Sequence, residues 1–348
     1  MVLRSHLGTR FAAHFFRFAV LRFTPWQAVA STSLAFHLTD FAVCVLWLAV
    51  SYVAARELFR RSLRYEETTR GGTFHAGAHT REVGWLDRLI GIPNLVLPDP
   101  LGALVWKELR SLIRMPRFRV VFGMACVFSV LVFIPLTLNA TALGSTAFTA
   151  DNFVLIVTVY GLLILSDTLL LNAFGLDGSG AQIYFVAPTS LKPVLWAKNI
   201  VAIVFVLLQW LLVLLVLAVL RFPVTPLNAV NSMATEIVIL VYFLAAGNIS
   251  SVSLARAVNP RQTLRKQAGG KMQAFMFFCT LCMLALGGSA YLARWATGTY
   301  AASFAVLAVE FAIGCAVYWV SLQTAVERAI ERREAMIEAL SRSSAAPV

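Results

Sequence analysis

The sequence predicts an all-α, polytopic membrane protein, and three observations carry that prediction. The chain of 348 residues is 59% hydrophobic and only 13% charged, with a mean hydropathy of +0.77. Soluble domains carry about 25% charged residues, so a single water-soluble core is a poor explanation. Seven apolar runs lie near Leu34–Ala54, Val120–Leu138, Phe153–Leu171, Ile200–Leu220, Met233–Val252, Met272–Leu292 and Phe304–Leu322. A hydrocarbon core of about 30 Å needs roughly 20 apolar residues in a helix, because lipid cannot satisfy the backbone of a loop. The basic residues, finally, gather in alternate connections between the runs.

That alternation sets the topology. Residues 56–119 carry twelve Lys and Arg, residues 253–271 carry five (Arg256, Arg261, Arg265, Lys266 and Lys271), and the tail after Leu322 carries four; Lys192 and Lys198 lie in 172–199. The intervening connections are nearly bare. Basic loops stay inside, so 56–119, 172–199, 253–271 and the C-terminus are expected in the cytoplasm. The net charge of +12 is thereby a matter of orientation. No basic-aromatic module accompanies it, and nucleic acid is not an expected partner.

Residues 1–55 form the N-terminal segment and the first predicted span. Arg4, Arg10, Arg17 and Arg22 precede the first acid, Asp40, and with this topology they stand on the outer face, against the positive-inside bias. The expectation is that the chain is a piece of a longer protein or lacks an upstream start. Residues 56–98 read as a charged cytoplasmic linker with Gly71, Gly72 and Gly77 near its middle. His75 and His79 there have helical metal-ligand spacing, but a solvated loop explains them better. Cys44, Cys126, Cys279, Cys282 and Cys315 all fall within apolar runs and read as packing residues.

Asp99–Pro116 is the clearest amphipathic segment. Asp99 is placed to cap it, Pro100 to open it and Pro116 to stop it. Leu101, Leu104, Val105, Leu109, Leu112 and Ile113 share one face, while Lys107, Arg110, Arg114 and Arg117 lie opposite. Such a helix is expected to lie along the cytoplasmic interface. Six spans follow within 99–322. The tail, 323–348, mixes signs at three- and four-residue spacings and reads as a solvated helix with a weak apolar stripe at Val326, Ile330, Ile337 and Leu340.

Three acids fall inside or at the ends of predicted spans: Asp167, Glu236 and Glu310. Charges in lipid are costly, about 2.5–3.5 kcal/mol on the insertion scale, so each invites a functional reading. Glu310 is the deepest and the best candidate for a proton relay. No phosphate loop, nucleophilic serine elbow or carboxylate–histidine cluster is present, so no catalytic residue, bound cofactor or metal is assigned.

The loop between the third and fourth runs reads Asn172-Ala-Phe-Gly-Leu-Asp-Gly-Ser-Gly and continues to Pro188 and Lys198-Asn199. With Lys107-Glu108-Leu109-Arg110 and the closing Arg114-Met-Pro-Arg117, it resembles the permease subunit of a type-2 ABC exporter of a bacterial branch. The resemblance covers about Asp99 to the tail; the first span is extra, and could be the remnant of a lost first half. It implies that Lys107, Glu108, Arg110 and Arg114 position an interfacial helix. It also implies that Asn172, Phe174, Gly175, Asp177, Gly178, Gly180, Pro188, Lys198 and Asn199 form the loop that couples to an ATPase, with Leu191–Leu195 as a short helix along the membrane. ATP and Mg would sit on that separate ATPase subunit; membrane lipid and a second permease copy or half are further expected partners, in the plasma membrane of a prokaryote. The rival readings are an ion-coupled secondary carrier using Glu310 or Asp167, and a membrane scaffold without transport activity.

Overall fold

The computed structural model describes residues 38–70, 85–133, 146–186, 190–258 (save 221 and 223) and 270–341. The Arg-rich start, His75, His79, Gly71, Gly72, Gly77 and Pro188 lie outside the described residues. Two units are distinguished, Met1–Glu82 and Val83–Val348. In the first, helix α1 (Leu38–Arg70) is described. Its apolar stretch, Phe41–Val53, is shorter than a full span among the described residues. The helix runs on to Arg70, through the first part of the predicted linker, because nothing from Arg56 to Arg70 is a Gly or Pro.

The second unit opens with α2 (Trp85–Val96) and α3 (Leu101–Arg114). Pro100, not Asp99, is the N-cap of α3, and no side chain caps it. Met115 is extended, which ends α3, and Pro116 opens the next helix at its first position, where its missing N–H costs nothing. The chain therefore turns at Pro116 from an amphipathic helix into the first span of this unit.

Six helices of this unit are long and apolar enough to cross a membrane: α4 (Pro116–Phe133), α5 (Asn152–Leu170 within a helix from Thr146), α7 (Leu191–Val219), α8 (Pro226–Ser253), α9 (Gly270–Thr297) and α10 (Tyr300–Glu331). The short helix α6 (Ile183–Val186) precedes α7, and α11 (Arg333–Ser341) follows α10. The described residues contain no strand. The chain is an all-α, multi-pass membrane protein. Both α4 and α5 contain a π-turn, at Met124–Phe128 and Ser166–Leu170.

Helix α8 is the axis of this bundle and packs against α5, α7, α9 and α10. Between lipid-embedded helices, packing and hydrogen bonds replace the hydrophobic drive, and small residues permit close approach. Ala245, Gly247, Ser250 and Ser251 supply that in α8, all buried. Near the α3 end, Asn199 donates to Asn248 Oδ1 and to the Tyr318 hydroxyl, both at 3.0 Å, tying α7, α8 and α10 together. An apolar crevice of about 280 Å³ lies between α8, α9 and α10, and Cys279 and Cys282 are on its wall.

Two expectations are corrected here. Leu191–Leu195 is not a separate helix but the opening of α7, which begins at Leu191 and continues unbroken. The tail is not a solvated extension. The chain bends at Arg332, and α11 buries Met336 and Leu340 against Phe174, Ala181, Tyr184 and Leu322. Of the expected stripe, Leu340 is buried and Val326 packs against the same cluster, whereas Ile330 is 60% exposed; after the break at Arg332 it is Met336 that joins Leu340 inside.

Candidate functional site

The segment from Leu171 to Val186 is laced to the end of α8. Ser250 donates to the Leu171 carbonyl at 2.7 Å, and Ser251 accepts from Ala173 N–H at 2.9 Å. Asn172 Nδ2 donates to the Arg256 carbonyl at 3.0 Å, while Val258 N–H donates to the Gly175 carbonyl at 2.8 Å. Arg256 also pairs with Asp167 at the end of α5. The loop is therefore an ordered part of the bundle end. Successive turns at Asn172–Gly175, Phe174–Asp177 and Asp177–Gly180 are closed by backbone hydrogen bonds of 3.0–3.1 Å.

Gly178 follows with φ of +54°, a left-handed conformation that costs a residue with a Cβ about 1–2 kcal/mol. That turn aims Asp177 inward. Its carboxylate meets Lys198 Nζ at 2.5 Å and Lys107 Nζ at 3.2 Å. Glu108 Oε2 accepts from Lys198 at 3.1 Å, and Oε1 accepts from Lys107 at 3.0 Å and from the Tyr184 hydroxyl at 3.0 Å. Lys107 also donates to the Tyr184 oxygen. Two carboxylates and two ammonium groups thus alternate around a phenol, with no net charge. They come from three places: α3, the loop with α6, and the first turns of α7.

Aromatic faces complete the enclosure. Lys198 Nζ lies 5.3 Å from the centroid of the fully buried Phe174 ring, and Lys107 Nζ lies 4.8 Å from that of Tyr184. Such placements add about 0.5–2 kcal/mol each, more when desolvated. Beside the charges, a small cavity of about 20 Å³ is bordered by Ser111 and Thr168, room for roughly one water molecule.

The site's electrostatics follow from burial opposed by pairing. Burial pushes the Asp177 carboxyl up, but Lys198 and Lys107 outweigh it and hold it below its ordinary value of 3.8. Burial pushes the Tyr184 phenol up from 10.0, and Asp177 and Glu108 push it further, so the phenol stays neutral. A depressed carboxyl contributes stability above its unfolded value that is lost as pH falls through the lower folded one. A raised phenol contributes stability below 10.0 that is lost as pH rises toward its folded value. Thermal unfolding in detergent should therefore be flat between these limits and fall below about pH 4 and above about pH 10. In Tyr184→Phe the alkaline fall should shrink, and in Asp177→Asn the acid fall should.

Of the residues expected in this region, Lys107, Glu108, Phe174, Asp177, Gly178 and Lys198 converge here. Asn172 and Gly175 serve the seam with α8, and Gly180 lies exposed at the tip. Asn199 belongs instead to the interhelical network with Asn248. Arg110 stacks over Trp106, 5.0 Å from its centroid, and Arg114 is exposed. Asp177 anchors the loop and caps nothing. Most of the expected coupling residues are thus buried, not an outer docking surface; what is exposed is Ser179, Gly180, Gln182, Ile183 and Val186.

Among the intramembrane acids, Glu310 accepts from Ser289, and its backbone carbonyl accepts from Tyr242 at 3.0 Å. Glu236 is 2% exposed with neither carboxyl oxygen hydrogen-bonded. Sequence reasoning missed Tyr184 and Arg256. A lone tyrosine beyond a glycine-rich turn has no period to mark it, whereas Arg256 could have been paired with Asp167 as the first cation after α8. No protein family, curated protein or solved structure matches this chain.

Proposed function

We propose that the chain is the membrane-spanning permease subunit of an exporter driven by a separate ATPase, with α6 and its preceding turn as the surface the ATPase pushes. The observation that carries this reading is the five-residue network of Lys107, Glu108, Asp177, Tyr184 and Lys198. It joins the amphipathic α3, the loop and α7 into one rigid block, so a force on the loop tip passes directly into a span. At that tip Ile183 is 64% and Val186 83% exposed, an apolar pair on a short helix suited to a cleft on a partner. Basic residues on this end of the bundle support a cytoplasmic orientation, where ATP is available. The resemblance in Lys107-Glu108-Leu109-Arg110 and in Asn172–Gly180 points the same way.

The test is purification of the tagged chain from its native membrane in mild detergent. An ATPase subunit should co-purify, and Ile183→Glu with Val186→Glu should cut its recovery at least tenfold. That corresponds to about 1.4 kcal/mol. Both residues are exposed, so expression should persist. Recovery of no ATPase with the wild-type chain, or full recovery with the double variant, would sink this reading.

A further inference from the structure

We infer that Glu236 is a proton-binding site of the bundle, a carboxylic acid held neutral between α5, α7 and α8, which gives up its proton only when water or a charge reaches it. The inference does not depend on the permease reading. Glu236 lies near the outer end of the predicted span Met233–Val252, yet it is 2% exposed and forms no ion pair among the described residues. An unpaired carboxylate in such a place is costly enough that the group neutralises instead.

The neighbouring donors have other acceptors. Thr158 of α5, itself fully buried, is the polar side chain that reaches Glu236. Its hydroxyl also lies 3.2 Å from the Leu155 carbonyl, so its one hydrogen is shared between that acceptor and Glu236. Trp210 borders the same space, and its indole N–H donates to Ser232 at 3.1 Å. Gln209 Nε2 is turned to the Thr158 carbonyl at 3.3 Å, while Gln209 Oε1 is buried and has no donor. The surroundings thus offer Glu236 one shared hydroxyl and no cation. That suits a carboxylic acid, which brings its own O–H, better than a carboxylate, which needs several donors.

Among the side chains described, no charged group pairs with Glu236 from the elements packed on α8. On α7, Lys198 is held by Glu108 and Asp177, and Lys192 lies over Trp319. On α5, Asp167 pairs with Arg256. On α9, Arg294 lies 3.8 Å from the Tyr300 ring centroid, and on α10 Glu310 meets Ser289. The remaining neighbours in that space, Val206, Leu207, Met233, Ile237 and Leu240, are apolar. Glu310, the more attractive acid by depth in its span, is half-buried and has a donor.

Infrared spectroscopy of the full chain, labelled with carbon-13 glutamate and embedded in lipid bilayers, tests this. At neutral pH the wild-type spectrum should contain the carbonyl stretch of a protonated carboxylic acid, shifted by the label. Glu236→Gln should remove one such band, and Glu310→Gln should leave that band in place. Glu236→Gln should also accumulate and unfold like the wild type, because a neutral amide replaces a neutral acid. Four results would overturn the inference: no protonated glutamate band in the wild type, an unchanged band in Glu236→Gln, a band that emerges only when sodium is withdrawn, or accumulation of Glu236→Asp but not of Glu236→Gln. The first of these needs no variant.

Discussion

Replacing Lys198 by Met is expected to lower the protein's stability by about 3–5 kcal/mol, the range seen when one partner of a buried ion pair is removed. Lys198 is 6% exposed and bridges Glu108 and Asp177. Without it two carboxylates share the half-exposed Lys107 as their counter-charge, and a third interaction, the approach of an ammonium to the Phe174 ring, is lost as well. Much of the cost comes from the charges left behind. Neutralising them should therefore restore stability: the triple variant Glu108→Gln, Asp177→Asn, Lys198→Met should recover at least half of the loss. Thermal and denaturant unfolding in one detergent measures both. A Lys198→Met protein within about 0.5 kcal/mol of the wild type, the range of an ordinary surface change, would mean that water or Lys107 already satisfies the carboxylates.

The network also shows which parts of this molecule can be read from the sequence. The six spans are legible because one physical requirement, about 20 apolar residues without a charge, writes itself directly into composition. The helix α3 is legible for a similar reason: Leu101, Val105, Leu109 and Leu112 fall at a helical period, and Pro116 closes it. Glu108 lies within that apolar face; the sequence offers it only through the resemblance, as a residue that positions the helix, and shows nothing of what it pairs with. Its distant partners, Tyr184 and Lys198, sit 76 and 90 positions away in sequence, and pairing over such distances has no local period. Asp177 is singled out through the resemblance, as a residue that caps or anchors the segment after it; its anchoring partners, Lys198 and Lys107, are not legible. The role of Tyr184 and the docking of the tail helix α11 are illegible for one shared reason. Both are defined by what they pack against, and Met336 and Leu340 supply only two apolar points in a charged segment.

Small residues in α8 are the least legible feature, because a glycine in an apolar run looks like any other. Gly247 nevertheless makes the closest interhelical approach of the bundle among its buried glycines with backbone neighbours. A Cβ there would stand 2.2 Å from the Leu170 carbonyl oxygen and 2.9 Å from its carbon. Both are backbone atoms of the π-turn that ends α5, so no side chain can swing aside. Gly247→Val is therefore expected to force α5 and α8 apart and to cost at least the 1–3 kcal/mol of an overpacked core, with about 3 kcal/mol or more expected here. The separation would also strain the bonds from Ser250 to Leu171 and from Ala173 to Ser251, and with them the seam that positions Asn172 and Gly175. Damage where α5 ends against α8 should thus reach the charge network. Gly288→Ala on α9 is the matched control, since nothing lies within 4 Å of the added Cβ, and a helical glycine replaced by alanine gains about 0.5–1 kcal/mol. Unfolding temperatures of the two variants should move in opposite directions. A Gly247→Val protein as stable as the wild type would show that α5 and α8 do not meet at this point in the membrane.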